Sequence, residues 1–305
     1  MRVTRYWTMF VTLGAASVYA HGHEGHVRSD PRVFSAWDQA TLVGLAVMAA
    51  AYWIGTTRMT ASGARRPRVE RVAFTAGWFS LVVAVLPWVD RAVIERFSAH
   101  MAQHELMMLI GAPLVIAGRP LSTCAWALSQ PWRRLALAPL QHPRMAGAVR
   151  ALTAPAIAWA LHGATLWIWH MPVLYNAAVQ SEPVHAVQHA MFVGTSLMFW
   201  SGLVYGRYGR AGYGAAVFFV FTTAVHTGIL GALITVSRSP IYPVYARIPG
   251  VSAEQALADQ QLAGLVMWIP AGVLLTFVGI ALFAAWLGEA ERRSRRAGYA
   301  GRVRS

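Results

Sequence analysis

Two pairs of histidines with the spacing His-x-x-x-His are the clearest candidate metal ligands in this sequence. The first pair is His100 and His104, and the second is His185 and His189. Residues four positions apart lie on the same face of a helix. A fifth histidine, His170, ends the apolar segment before the second pair. Because imidazole is a common ligand of copper, zinc and iron, this spacing indicates a transition-metal site.

The segments that carry these histidines are apolar enough to enter a lipid bilayer. Of the 305 residues, 56% are hydrophobic and only 12% are charged, and the mean hydropathy is +0.44. Such values lie outside the usual range of soluble globular domains. We therefore expect an all-α, polytopic membrane protein. An imidazole inside a membrane span is unfavourable unless it finds a partner, which makes it a candidate functional residue.

We expect seven transmembrane helices that follow a cleavable signal peptide. Residues 1–20 have the charged start, short apolar core and small-residue end of a secretory signal, and the core is too short to cross a bilayer. An uncleaved anchor is the alternative. The predicted membrane domain covers residues 37–287, with spans at 37–56, 72–89, 97–117, 154–171, 184–206, 213–237 and 260–287.

The arginines between these spans predict the orientation. All 26 basic side chains are arginine, and the connecting segments hold eighteen on one side against six on the other. The positive-inside rule then places the mature N-terminus outside and the arginine-rich tail, residues 288–305, in the cytoplasm. Because the arginines lie in short loops rather than in one patch, nucleic-acid binding is not indicated.

Two longer loops, 118–153 and 238–259, are rich in proline. Proline interrupts helices, so we expect extended or turn structure in both loops. The predicted orientation places the first loop along the cytoplasmic surface. It makes the second loop an outer lid over the ends of the helices.

With this orientation the five histidines fall in one layer near the outer boundary of the membrane. His100 and His104 begin the third span, His170 ends the fourth, and the second pair begins the fifth. At 1.5 Å per residue the first pair lies within about 5–10 Å of the boundary. The alternative is that these imidazoles only hydrogen-bond neighbouring helices.

Copper in its cuprous state is the first choice of metal. Met101 and Met171 lie near the same layer, and thioether sulfur favours cuprous copper over zinc. Zinc binds the same imidazole nitrogens, so it remains an alternative metal. Cys124 is the single cysteine, so neither an intrachain disulfide nor a paired-thiolate metal site is available.

Other polar residues have weaker, auxiliary predictions. The segment 21–36 is a His-rich outer tail in which His21, His23 and His26 are candidate auxiliary ligands; a solvated tail without a specific ligand is the alternative. Carboxylates near the layer could orient the ligating imidazoles; they are Asp90, Glu105 and Glu182.

His162 and His226 lie deeper, near the middle of the fourth and sixth spans. Facing each other, they would form an alternative mid-membrane site able to bind a haem iron axially. Packing and relay roles inside the bundle are the other interpretation.

Four motifs in order resemble the CtaG family of cytochrome c oxidase assembly factors, the multi-span type associated with caa-type oxidases. They are SAHMAQHELMMLIGAPLVIAGRP at 98–120, WHMPVLYNAAVQSEPVHAVQHAMFVGTSLMFW at 169–200, GALITVSRSPIYPVYA at 231–246 and DQQLAGLVMWIPAG at 259–272. The resemblance covers residues 35 to 287. The motif histidines correspond to His100, His104, His170, His185 and His189.

The resemblance implies a function without an enzymatic reaction. It implies a multi-pass protein of the bacterial plasma membrane that helps to deliver copper to the buried copper B centre of a haem–copper oxidase. Subunit I of the oxidase, and other copper chaperones, are the implied partners besides the bilayer. The metal site would face the periplasm or the outside.

Two other function classes stay open at this stage. A seven-helix zinc hydrolase needs three histidines, an open position for water and a carboxylate base, for which Asp90 is available. Seven-helix hydrolases of the alkaline ceramidase superfamily have a histidine pair on the last span, whereas the last span here, 260–287, carries no histidine, which counts against that class. A haem-binding electron carrier would use His162 and His226.

Overall fold

The computed structural model describes residues 35–138, 141–205 and 212–303, and within these ranges the chain is helical, with no strand. The all-α prediction is therefore confirmed. The predicted signal peptide and the tail histidines His21, His23 and His26 lie outside the described residues and stay predictions.

Thirteen α-helices are described, several of them short, and we number them in chain order. They are α1 (Ala36–Ala61), α2 (Arg68–Ala84), α3 (Pro87–Glu95), α4 (Phe97–Ala117), α5 (Pro120–Cys124), α6 (Gln130–Leu137), α7 (Pro143–Leu152), α8 (Pro155–Trp169), α9 (Pro172–Gln180), α10 (Glu182–Tyr205), α11 (Gly212–Val236), α12 (Pro243–Ala246) and α13 (Ala253–Val303). Within α4 the segment Leu106–Gly111 is a π-helix.

Three of the described helices are by themselves long and apolar enough to cross a membrane: α1, α11 and α13. Three bent pairs raise the number to at most six within the described ranges; they are α2 with α3, α4 with α5, and α7 with α8. Helix α10 coincides with the predicted fifth span, but its polar first turns lower its hydropathy. A multi-pass membrane protein is thus supported, while the count of seven stays a prediction.

The second predicted span, 72–89, crosses a break in the structure. Helix α2 ends at Ala84, and α3 begins at Pro87 after a bend of 53°. Pro87 has no N–H to continue the α2 hydrogen-bond ladder, but it fits the first turn of a new helix. The single continuous helix that we expected there is therefore wrong.

The proline-rich loops also differ from expectation. In 118–153 the prolines Pro120, Pro131 and Pro143 lie in the first turns of α5, α6 and α7. The N–H that proline lacks has no intrahelical partner at that position, so each proline starts a helix there. In 238–259, Pro243 likewise begins the short helix α12. Extended or turn structure was therefore the wrong prediction for most of 118–153, whereas turns, bends and irregular backbone do form most of 238–252.

The last helix is longer than the predicted seventh span. Helix α13 begins at Ala253, within the predicted lid, and continues to Val303, within the predicted tail. It packs most extensively against α11, and also against α4. Gly264 allows this approach, since a Cβ there would lie 2.2 Å from Thr235 Oγ1 and 2.7 Å from the Gly231 carbonyl oxygen.

Helix α4 carries the first histidine pair, and hydrogen bonds from neighbouring helices hold both its start and its middle. At its start, an Asp259 carboxylate oxygen on α13 accepts hydrogen bonds from the backbone N–H groups of Phe97 at 2.6 Å and Ser98 at 3.3 Å. These bonds satisfy N–H groups that have no partner within a helix.

In the π-helical segment of α4, side chains of neighbouring helices satisfy the irregular backbone. Ser80 donates to the Leu106 carbonyl at 2.9 Å, and Ser196 and Trp200 both donate to the Met108 carbonyl at 3.0 Å. The rotation and depth of α4 are therefore fixed by α2, α10 and α13.

Candidate metal centre

Four histidines from α4 and α10 converge on one point. His100 faces His185, with 5.0 Å between ring centroids, and His104 faces His189 at 5.4 Å. One ligand nitrogen from each of the four lies within 4.8 Å of the other three. The two four-residue spacings thus produce two levels of paired imidazoles, and one ion at their centre could be bound by all four.

Burial of these rings makes a ligand chemically reasonable. His100 and His104 are 0% and 1% exposed, His185 is buried and His189 is half-buried. Neither ring nitrogen of His104 has a hydrogen-bond partner within the described ranges. An unsatisfied buried polar group costs about 1–3 kcal/mol, so such groups need an explanation. A metal ion bound by His104 would supply the partner of one of these two nitrogens.

Tyr245 on α12 determines which nitrogen of His100 faces the centre. Its hydroxyl oxygen lies 3.0 Å from His100 Nδ1, and the hydroxyl proton is donated to the Val93 carbonyl oxygen at 3.1 Å. A carbonyl only accepts, so the Tyr245 oxygen accepts from Nδ1–H of His100. His100 Nε2, which lies 3.3 Å from His185 Nε2, then carries the lone pair that a metal requires.

Asp90 has the corresponding position beside His185. Its Oδ1 lies 3.9 Å from His185 Nδ1, on the opposite side of the ring from His100. A carboxylate at Nδ1 orients an imidazole and increases its basicity as a metal ligand. This placement supports the predicted orienting role of Asp90, which stays a prediction.

The fifth predicted ligand, His170, does not belong to the group of four. Its Nδ1 donates to the Leu166 carbonyl oxygen of its own helix at 2.7 Å. Its ring lies 6.0 Å from that of Phe192, which in turn lies 4.7 Å from the ring of His104. His170 therefore shares the neighbour Phe192 with His104 but is not one of the four histidines that converge.

The candidate methionine ligands have different surroundings. Met101 is buried in an apolar cluster with Phe97, Tyr175 and Val179. Met171, between α8 and α9, is 54% exposed. The auxiliary role of these two thioethers stays a prediction.

The remaining predicted residues occupy three other places. Glu182 is the first residue of α10, three positions before His185. Glu105 lines a cavity with a volume of about 40 Å³, together with His162. His226 packs against α8, where a Cβ on Gly163 would lie 3.4 Å from its Nε2.

Aromatic residues packed beside the centre were not predicted from the sequence. Tyr175, Tyr242 and Tyr245 form a cluster with Phe97, in which the rings of Tyr175 and Tyr242 are 4.4 Å apart. Burial raises the pKa of Tyr242 far above its usual value, so its hydroxyl stays protonated and donates to the His170 carbonyl at 2.8 Å. The sequence feature that could have identified them is the three-residue spacing of Tyr242 and Tyr245 in the predicted lid.

Comparison with known proteins adds a family match and distant relatives. The family model Caa3_CtaG, described as cytochrome c oxidase caa3 assembly factor, matches residues 50–289. An uncharacterized protein of Mycobacterium leprae is 24% identical over 274 residues, which is 86% of this chain and 41% of that protein. One of Mycobacterium bovis is 24% identical over 276 residues, 87% of this chain and 41% of the relative. This chain thus spans about two fifths of the length of these relatives. No solved structure matches.

Proposed function

This chain belongs to the Caa3_CtaG family of cytochrome c oxidase caa3 assembly factors, and from that premise we propose that it binds copper and helps to deliver it to the copper B centre of the oxidase. The copper ion is a cargo rather than a resident cofactor in this proposal. No bond of a substrate is made or broken, so the protein acts as a chaperone and not as an enzyme.

The observation that carries the proposal is the convergence of His100, His104, His185 and His189. Four imidazoles, each with one ring nitrogen within 4.8 Å of a nitrogen of the other three, form a donor set suited to cuprous copper or zinc. Copper is the better assignment because the family assists a haem–copper oxidase. The unsatisfied nitrogens of His104 further support an ion at this position.

The surroundings support a binding site that opens for transfer. Tyr245 on the short helix α12 contacts His100, and Tyr242 donates to the His170 carbonyl, so the segment predicted as an outer lid packs against the centre. We propose that movement of this lid admits and releases the ion. The partner would be subunit I of the oxidase in the bilayer, with other copper chaperones as donors.

The predicted tail and orientation would assist capture. If the centre faces the periplasm or the outside, as the arginine distribution predicts, the tail residues His21, His23 and His26 are tethered on the same side. Tethered weak ligands raise the effective concentration of an ion near the site.

The two alternatives are less well supported. A catalytic zinc keeps an open position for water beside three protein ligands, whereas four imidazoles surround this centre. The space beside His162 is about 40 Å³, much smaller than the roughly 300–1,000 Å³ of typical ligand and cofactor sites. That space gives the haem proposal no support.

The test is an oxidase assembly experiment in a strain from which this gene is deleted. The strain would be complemented with the wild-type protein or with His104→Gln plus His189→Gln. We expect the oxidase from the variant strain to contain haem but to lack copper B, by metal analysis and haem spectroscopy, with a proportional loss of oxygen consumption.

His142→Gln is the matched control, because His142 precedes α7, far along the chain from the centre. It should restore copper B as the wild type does. A full copper content in the oxidase from the double-variant strain would contradict the proposal, provided that immunoblots show equal amounts of the assembly factor.

A further inference from the structure

Potential metal donors continue along α4 beyond the four histidines. His100, His104 and Met108 follow one another at four-residue intervals, and Glu105 lies between the last two. At 1.5 Å per residue each interval is about 6 Å. Met108 is therefore about one helical turn deeper than His104, and Glu105 lies just beyond His104.

These deeper donors line a single small cavity inside the bundle. Its volume is about 40 Å³, and its lining includes a carboxylate, an imidazole and two thioethers, from Glu105, His162, Met108 and Met267. About 10–15 Å³ of such volume is enough for one water molecule. The cavity is thus large enough for one ion but not for an organic cofactor.

Two of the polar side chains that line this cavity each have a potential ligand atom that no other protein atom binds. Glu105 Oε2 is buried without a hydrogen-bond partner in the part of the chain that the structure describes. His162 Nδ1 lies 3.2 Å from Thr195 Oγ1, whose proton is donated to the Met191 carbonyl at 2.8 Å. The Thr195 oxygen therefore accepts from His162 Nδ1–H, so the lone pair is on His162 Nε2.

The backbone that positions Met108 is irregular and held from outside its helix. Met108 lies within the π-helix Leu106–Gly111, and Ser196 and Trp200 both donate to its carbonyl oxygen at 3.0 Å. Single π-helical turns within α-helices occur frequently at functional sites. This turn places a buried methionine at the cavity, and its position is fixed by two side chains of α10.

We propose that this cavity is a second cuprous-copper site, formed by Glu105, Met108, His162 and Met267, to which an ion passes from the four histidines. Thioether and imidazole ligands together select cuprous copper over zinc. The Glu105 carboxyl group would add an oxygen ligand, since its Oε2 is buried without a hydrogen-bond partner among the described residues. This proposal rests on the copper-binding function proposed above and extends it inward.

The test is anaerobic titration of the full-length protein in mild detergent with cuprous copper, against a chromogenic chelator. We expect two copper ions per wild-type chain and one per chain for Met108→Leu plus Met267→Leu. X-ray absorption of the fully loaded wild type should show both nitrogen and sulfur scattering, and the sulfur contribution should disappear in the double variant. Leucine conserves volume and burial while it removes the sulfur.

Met48→Leu plus Met59→Leu is the matched control, since both methionines are buried on α1 and do not line the cavity. This control should still bind two ions. One ion per wild-type chain, or undiminished sulfur scattering in the Met108 and Met267 variant, would overturn the second site. Those results would leave the four-histidine site intact, whereas failure of the wild type to bind any copper would overturn the proposed function itself.

Discussion

At the scale of single residues, the centre consists of two facing pairs of histidines. The four-residue spacing requires His100 and His104 to share a face, and the structure places them against His185 and His189. His170 was predicted in the same layer from its depth alone. Its direction depends on the rotation of α8 and on the hydrogen bond of its Nδ1 to the Leu166 carbonyl oxygen, which no spacing rule reveals.

The contribution of Tyr245 gives a residue-scale prediction. Tyr245→Phe removes the acceptor for His100 Nδ1–H and so loosens both the tautomer and the ring orientation. Loss of such an outer partner weakens metal affinity by about 10–100-fold. We expect a weaker copper affinity of that size in competition titrations of the purified protein.

Tyr242→Phe is the control for this prediction, because its hydroxyl contacts the backbone of His170 rather than a ring nitrogen. It removes the same atom from the same lid and should leave the affinity unchanged. Equal affinities for wild type and Tyr245→Phe would show that the hydroxyl does not orient His100.

At the scale of elements, helix α4 shows both what could be predicted and what could not. The third span was predicted at 97–117 from its apolar run, and the structure has α4 at Phe97–Ala117. The π-helix within it was not predicted, because it depends on Ser80, Ser196 and Trp200 from other helices. Local sequence carries no signal for such tertiary hydrogen bonds.

Close packing of α2 against α4 provides the element-scale prediction. A Cβ on Gly77 would lie 2.6 Å from the Val115 backbone nitrogen and 2.8 Å from the Gly111 carbonyl oxygen. Gly77→Ala must therefore push the two helices apart, and overpacking of this kind costs about 1–3 kcal/mol. We expect a lower midpoint of thermal unfolding in detergent.

Gly272→Ala on α13 gives the opposite expectation, because no atom lies within 4 Å of the added Cβ. Alanine is favoured over glycine in a helix by about 1 kcal/mol, so this control should be neutral or stabilising. If the midpoint of thermal unfolding fell equally in both variants, the effect of Gly77→Ala would not come from separation of α2 and α4.

At the scale of the whole molecule, composition alone predicted a bundle of apolar helices. Family membership relates that bundle to the assembly of cytochrome c oxidase. The structure has three to six candidate membrane spans among the described residues. The arginine distribution predicts which end faces outward, and that orientation stays a prediction. What composition could not provide is the convergence of α4 and α10, since the depth of a residue does not fix the direction of its side chain.

The central claim is that His100, His104, His185 and His189 together bind one copper ion. The most direct measurement is the affinity for cuprous copper of the purified wild type and of His104→Gln plus His189→Gln, with the half-buried His226→Gln as a control outside both sites. We predict that the double variant loses more than about 100-fold in the affinity of its tightest site, since two direct ligands exceed any outer partner in effect. An unchanged tightest affinity in the double variant would contradict the account.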